Sequence, residues 1–105
     1  MRTINWAKMD GLIPAIIQDV ETKKIMMLGY FNEESFKQTL ISRRVTFFSR
    51  SKNRLWIKGE TSKNYLNYLS HKVDCDGDAI LVLVSLVGPV CHLGTESCFT
   101  QNEEE

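Results

Sequence analysis

The chain lacks net charge. Thirteen Lys and Arg balance thirteen Asp and Glu across 105 residues. That balance argues against bulk nucleic acid or an anionic membrane surface as the partner, though it leaves room for a local basic patch. Long apolar runs are also missing: none approaches the ~20 residues of a membrane helix. Residues 1–10 hold no apolar core of signal-peptide type, so the expected compartment is the cytoplasm. Paired cysteines are absent too. There are three, Cys75, Cys91 and Cys98, with no C-x-x-C spacing among them. An odd count without a secretory context argues against a disulfide framework. No internal repeat is visible, and no low-complexity segment beyond an acidic end. What remains is an ordinary globular composition, 43% hydrophobic, in a chain long enough for one core. Residues 1–100 are expected to form that domain, with 101–105 as a tail or the start of a linker.

Residues 12–20 and 25–30 are apolar, β-rich runs separated by a polar stretch, and together they predict a hairpin. Asn32 followed by Glu33 and Glu34 predicts a helix start, a side-chain cap with acidic residues suited to the helix dipole. Phe36 and Leu40 share a face, with Ile41 beside them, so a helix is expected over about residues 32–43. No other strong helix signal is present. Strand character resumes at 45–49, 55–58 and 65–73. Residues 79–87 are almost wholly apolar and predict the central buried strand. The expected class is α+β: a mainly antiparallel, barrel-like sheet with one inserted helix.

Three stretches could carry chemistry. Asp74-Cys75-Asp76-Gly77-Asp78 puts three carboxylates and a thiol within five residues. If extended, it points Asp74, Asp76 and Asp78 to one face and Cys75 to the other. Carboxylates suit magnesium or calcium, and a thiolate suits zinc. A calcium loop of the EF-hand type is excluded, because Ala79 and Ser85 stand where glycine and glutamate are needed. The cysteines could instead be buried bystanders. Beside Cys91, His92 is a candidate ligand or general base. Finally, Arg43, Arg44, Arg50, Lys52, Arg54 and Lys58 crowd sixteen residues of an otherwise neutral chain, with Trp56 among them. Such a stretch suits phosphate and a stacked base, or is simply a solvated turn. On the residues alone, an enzyme, a structural zinc module and an RNA-binding β-domain all remain open.

Taken in order, Gly11-Leu12-Ile13-Pro14, Met27-Leu28-Gly29-Tyr30, Phe48-Ser49-Arg50-Ser51, residues 55–62 (Leu-Trp-Ile-Lys-Gly-Glu-Thr-Ser), Asp74-Cys75-Asp76-Gly77-Asp78, Cys91-His92-x-Gly94 and Ser97-Cys98-Phe99 resemble the phosphoribosyl-AMP cyclohydrolase family of histidine biosynthesis. The resemblance implies a hydrolase that opens the purine ring of phosphoribosyl-AMP at the N1–C6 bond with zinc-activated water, giving a formimino imidazole carboxamide ribonucleotide. It implies Cys75, Cys91 and Cys98 as zinc ligands and Asp74, Asp76 and Asp78 as magnesium ligands. The resemblance further implies a homodimer that shares its zinc ligands across the interface. His92 is then the candidate for proton transfer. Arg50, Lys52, Arg54 and Lys58 are candidates for the substrate phosphates, and Trp56 for the base. No nucleic-acid or membrane partner is expected. Two positions depart from the family: Lys63, where members often carry glycine, and Leu93. Residues 87–92 are similar to the bifunctional bacterial form, in which a phosphoribosyl-ATP pyrophosphatase domain follows at the C-terminal side.

Overall fold

The computed structural model of the chain describes residues 3–87 and 97–99. A single 3-10 turn, Trp6–Met9, leads into seven regular elements: β1 (Ile13–Asp19), β2 (Ile25–Phe31), α1 (Glu33–Ser42), β3 (Thr46–Ser49), β4 (Arg54–Ile57), β5 (Leu66–Val73) and β6 (Ile80–Leu86). Two sheets form. The larger has the order β2-β1-β6-β5, and the smaller pairs β3 with β4. The α+β class holds, with the helix where Asn32 announced it.

β1 and β2 form the expected antiparallel hairpin, with Ile13 opposite Phe31. β5 and β6 form another, with Leu66 opposite Leu86. Between the hairpins the pairing is parallel: Ala15 of β1 lies opposite Ile80 of β6. Parallel neighbours need a long crossover. Here the connection carries α1 and the whole β3–β4 hairpin. β6 is central, as its apolar sequence predicts. The barrel-like expectation is corrected: the sheets are open among the described residues, because β3–β4 forms its own ladder instead of closing the larger sheet.

One face of the large sheet builds the core. Ile13, Ala15 and Ile17 alternate inward from β1, and Ile80, Val82 and Val84 from β6, as period-two geometry demands. Phe31, Phe36 and Phe47 complete it, with ring centroids 5.3 Å apart for Phe31–Phe36 and 5.5 Å for Phe31–Phe47. Each such side chain contributes about 1.5–3 kcal/mol on burial.

α1 begins in a capping box. The Asn32 side chain accepts from the Ser35 amide at 2.7 Å, and Ser35 Oγ accepts from the Asn32 amide at 3.0 Å. The helix closes at Arg43 in the left-handed region, φ 65°. Its buried residues are Ser35, Phe36 and Thr39, which corrects the apolar face expected from Phe36, Leu40 and Ile41. Leu40 is 37% exposed and Ile41 70%. The reason is a polar tie. Thr39 Oγ1 accepts from the Thr46 amide at 2.9 Å and donates back to the Ser35 carbonyl. That bond turns Thr39, not Leu40, toward β3.

Candidate active site

β5 ends at Val73 and β6 starts at Ile80, so the acidic segment is the loop of a hairpin. The Asp74 amide donates to the Ala79 carbonyl and the Gly77 amide to the Asp74 carbonyl, both at 2.9 Å. Gly77 has φ 75°, and a Cβ there would stand 2.6 Å from the Thr3 carbonyl oxygen. Only glycine meets both demands. The N-terminal segment straps the loop through the Asn5 amide, which donates to the Gly77 carbonyl at 2.7 Å.

This loop overturns the extended reading of the segment. Asp74, Cys75 and Asp76 do not alternate between faces; their ligand atoms all lie within 4.8 Å of one another. Cys75 Sγ lies 3.6 Å from Asp76 Oδ1. All three side chains are exposed. Asp78 is half-buried and stands outside this group. Two carboxylates and a thiol at such spacing fit a divalent cation, with hard oxygen donors and one soft sulfur on the same side. Two like charges so close also repel, and a cation offsets that.

Cys98 sits elsewhere. Ser97 is 5% exposed, and its hydroxyl bridges to the carbonyls of Ile25 at 2.7 Å and Met26 at 3.1 Å. The Cys98 amide donates to the Met26 carbonyl at 2.8 Å. Cys98 is therefore pinned along the outer edge of β2. The strand order places β2 and β1 between it and β6, and three strand spacings amount to about 14 Å. Cys98 is not in the Asp74–Cys75–Asp76 group. The other two expected residues of the zinc centre, Cys91 and His92, lie outside the described residues.

Of the basic stretch, Arg50, Lys52 and Arg54 lie in the β3–β4 hairpin, whereas Arg43 caps α1 and Arg44 bridges to Asn67. Phe47 stands opposite Trp56, and Ser49 opposite Arg54. Arg50 and Lys52 occupy the turn, and Asn53 closes it at φ 53°. A cleft of about 600 Å³ opens beside it, lined by Gly29, Tyr30, Phe47, Arg50 and Trp56 among others. The Arg50 guanidinium carbon lies 4.0 Å from the Tyr30 ring centroid, a cation–π distance. A smaller recess of about 310 Å³ is lined by Ser49, Lys52, Arg54, Trp56, Glu60 and Thr61. Arg54 approaches Glu60 at 3.8 Å, both largely in solvent. Four of the five expected substrate-binding residues thus converge on these two spaces. Lys58 lines neither, but its ammonium is 5.8 Å from the Trp56 ring.

Tyr30 reaches the cleft from β2 with no signal of its own in the sequence. Gly29 was the signal. A glycine inside a strand marks a close approach, and a Cβ at Gly29 would stand 2.6 Å from Phe47 Cε1. His71 was missed as well. Its Nδ1 lies 2.7 Å from the Tyr68 hydroxyl, its ring meets Phe36 edge-on, and burial holds its pKa below the ordinary value.

A possible cation-binding donor set thus lies on the β5–β6 loop, and a basic, aromatic cleft lies beside the β3–β4 hairpin. The phosphoribosyl-AMP cyclohydrolase family profile matches residues 27–100, and the chain belongs to that family. It is 55% identical over 101 residues to the histidine biosynthesis bifunctional protein HisIE of Pasteurella multocida (strain Pm70), covering 96% of this chain and 50% of that protein. To the HisIE protein of Escherichia coli (strain K12) it is 54% identical over 98 residues, covering 93% of this chain and 48% of that one. The Bacteroides thetaiotaomicron relative of the same name is 52% identical over 102 residues, covering 97% and 50%. The chain spans about half the length of the curated relatives it matches. No helix of the described residues is long and apolar enough to cross a membrane.

Proposed function

We propose that this chain hydrolyses phosphoribosyl-AMP, opening the purine ring between N1 and C6. The observation that carries the reading is the convergence of Asp74, Cys75 and Asp76 on one exposed loop in a chain of this family. The substrate's N1 bears a ribosyl group, so the ring is cationic and C6 is electrophilic. Cys75 with Cys91 and Cys98 would hold zinc, and Asp74, Asp76 and Asp78 magnesium. Such a centre, when loaded, supplies water of lowered pKa near neutral pH. Proton transfer during ring opening falls to His92. Arg50, Lys52, Arg54 and Lys58 bind the phosphates, and Trp56 packs near the base.

A homodimer follows from the same reading. Cys98 is fixed on β2 and Cys75 on the loop before β6, with β1 and β2 between them. A zinc–thiolate bond is ~2.3 Å, and this separation supports a second copy as the source of the Cys98 that joins Cys75 on a common ion. The relatives are named bifunctional. A fused pyrophosphatase domain in the full-length protein and a cytoplasmic location belong to the same proposal.

The test pairs metal analysis with an assay. Purified protein should carry about one zinc per subunit and change the absorbance of phosphoribosyl-AMP as the ring opens. Cys75→Ser should abolish turnover and keep the far-UV spectrum. Unchanged turnover in that variant would refute the zinc assignment.

A further inference from the structure

Ser49 and Trp56 line both the aromatic cleft and the polar recess. The two spaces are therefore neighbours with two lining residues in common. They differ in kind. The cleft is lined by the aromatic residues Tyr30, Phe47 and Trp56 and by a single cation, Arg50. The recess is polar, with Lys52, Arg54, Glu60 and Thr61 around it.

We infer that the two spaces are the two ends of one site for a nucleotide carrying a phosphate at each end. The base and one phosphate lie in the cleft against Arg50, and the second ribose phosphate lies in the recess against Lys52 and Arg54. This rests on the substrate reading above and extends it by assigning each phosphate its own cations.

Three features support the division. First, Arg50 is pre-placed. Its guanidinium rests on the Tyr30 ring at 4.0 Å, which leaves its N–H edge to bind an anion. Tyr30 is thus a positioning residue. Second, one recess cation is held by its own side-chain contacts and the other stands on a fixed backbone. The Arg54 guanidinium donates to the Leu55 carbonyl at 3.1 Å; for Lys52 it is the backbone that is fixed, its amide donating to Ser49 Oγ at 3.3 Å. Glu60 offsets Arg54, so the recess keeps one net positive charge and gains an acceptor for ribose hydroxyls. Third, the sizes suit the halves. About 600 Å³ accommodates a nucleoside phosphate, and about 310 Å³ a ribose phosphate, both within the ordinary range of ligand sites.

The experiment is calorimetric titration of AMP, with one phosphate, and of phosphoribosyl-AMP, with two. It is done in a Cys75→Ser background so that no ring opening occurs. Arg50→Gln and Lys52→Gln should each weaken phosphoribosyl-AMP about tenfold. The double variant should weaken it about 100-fold, since independent contacts add. Only one of the two singles should weaken AMP. Tyr30→Ala should match Arg50→Gln, and Tyr30→Phe should restore binding. Equal effects of both singles on AMP, or a double variant no worse than either single, would overturn the division. Wild-type turnover is measured separately. Its absence would count against the hydrolase and leave the binding result readable.

Discussion

The Tyr68 hydroxyl lies 2.7 Å from Nδ1 of His71, inside the sheet face that α1 covers. Phe36 of α1 meets the imidazole edge at 5.1 Å between ring centroids. The Arg43 guanidinium lies 5.5 Å from the Tyr68 ring centroid. The pair ties β5 to both ends of the helix.

Burial holds the His71 pKa below its ordinary 6.5. The folded state therefore resists protonation more than the unfolded state does. Above pH 6.5 both states carry a neutral ring, and the contribution is fully present. As pH falls below 6.5 the unfolded chain binds the proton first, and stability drops until the folded pKa is passed. His71→Gln should flatten this part of the profile. Urea midpoints at pH 7.5 and pH 5.0 give the measurement: the wild-type difference should exceed that of the variant. Equal differences would remove His71 from the pH response. At the other end, burial raises the Tyr68 pKa, with Arg43 opposing, so its contribution is kept below pH 10 and lost above.

Gly29→Ala should cost about 1–3 kcal/mol, the usual penalty of overpacking. The new Cβ would stand 2.6 Å from Phe47 Cε1. Phe47 is a packed ring: it is 1% exposed and lies between Phe31 at 5.5 Å and Trp56 at 5.7 Å. A ring that shifts would carry Trp56 with it, so substrate KM should rise along with the loss of stability. Chemical denaturation reads the first effect and steady-state kinetics the second. A variant as stable as wild type would show that the ring relocates without cost.

Much of this architecture is legible in the residues. Apolar runs mark six strands, and Asn32 marks the helix, because these signals are local. The parallel seam between β1 and β6 is not, since it joins segments more than sixty residues apart and no local period encodes it. The Asp74–Asp78 alternation misleads for a different reason. Strict alternation looks extended, yet aspartate and glycine are turn residues, and Gly77 at φ 75° turns the chain. That turn gathers Cys75 with Asp74 and Asp76 instead of separating them. Around the cleft and the recess, Arg50, Lys52, Arg54 and Trp56 were legible as one cluster because they are close in sequence, and residues on a two-stranded ribbon stay close. Tyr30 joins them from β2, a contact across elements that spacing cannot supply.

Lys63 occupies the left-handed region at φ 70°, in the turn where its amide donates to the Gly59 carbonyl at 2.7 Å. A side chain there costs about 1–2 kcal/mol. Glycine removes that strain and gives back part of it as unfolded-chain entropy. Lys63→Gly should therefore stabilise the fold by roughly 0.5–1 kcal/mol, and Lys63→Ala should change it little. Thermal midpoints of the three proteins decide it. A lower midpoint for the glycine variant would mean that the lysine side chain makes a compensating contact.

Metal removal separates a catalytic centre from a structural one. The buried core is apolar and self-contained: Ile13, Ile17, Phe31, Phe47, Val82 and Val84 are all at most 1% exposed. Asp74, Cys75 and Asp76 lie outside it on an exposed loop. That loop is held by backbone bonds from Gly77 and Asn5, none of which needs an ion. EDTA should therefore abolish ring opening and leave far-UV circular dichroism unchanged, with only the modest fall in thermal midpoint that loss of a bound ligand brings. Re-addition of zinc should restore activity without a refolding step. A structural zinc module behaves oppositely, since its binding energy is its folding energy. Collapse of the circular dichroism signal on chelation would mean that the metal, and not the β1–β6 core, holds this chain together.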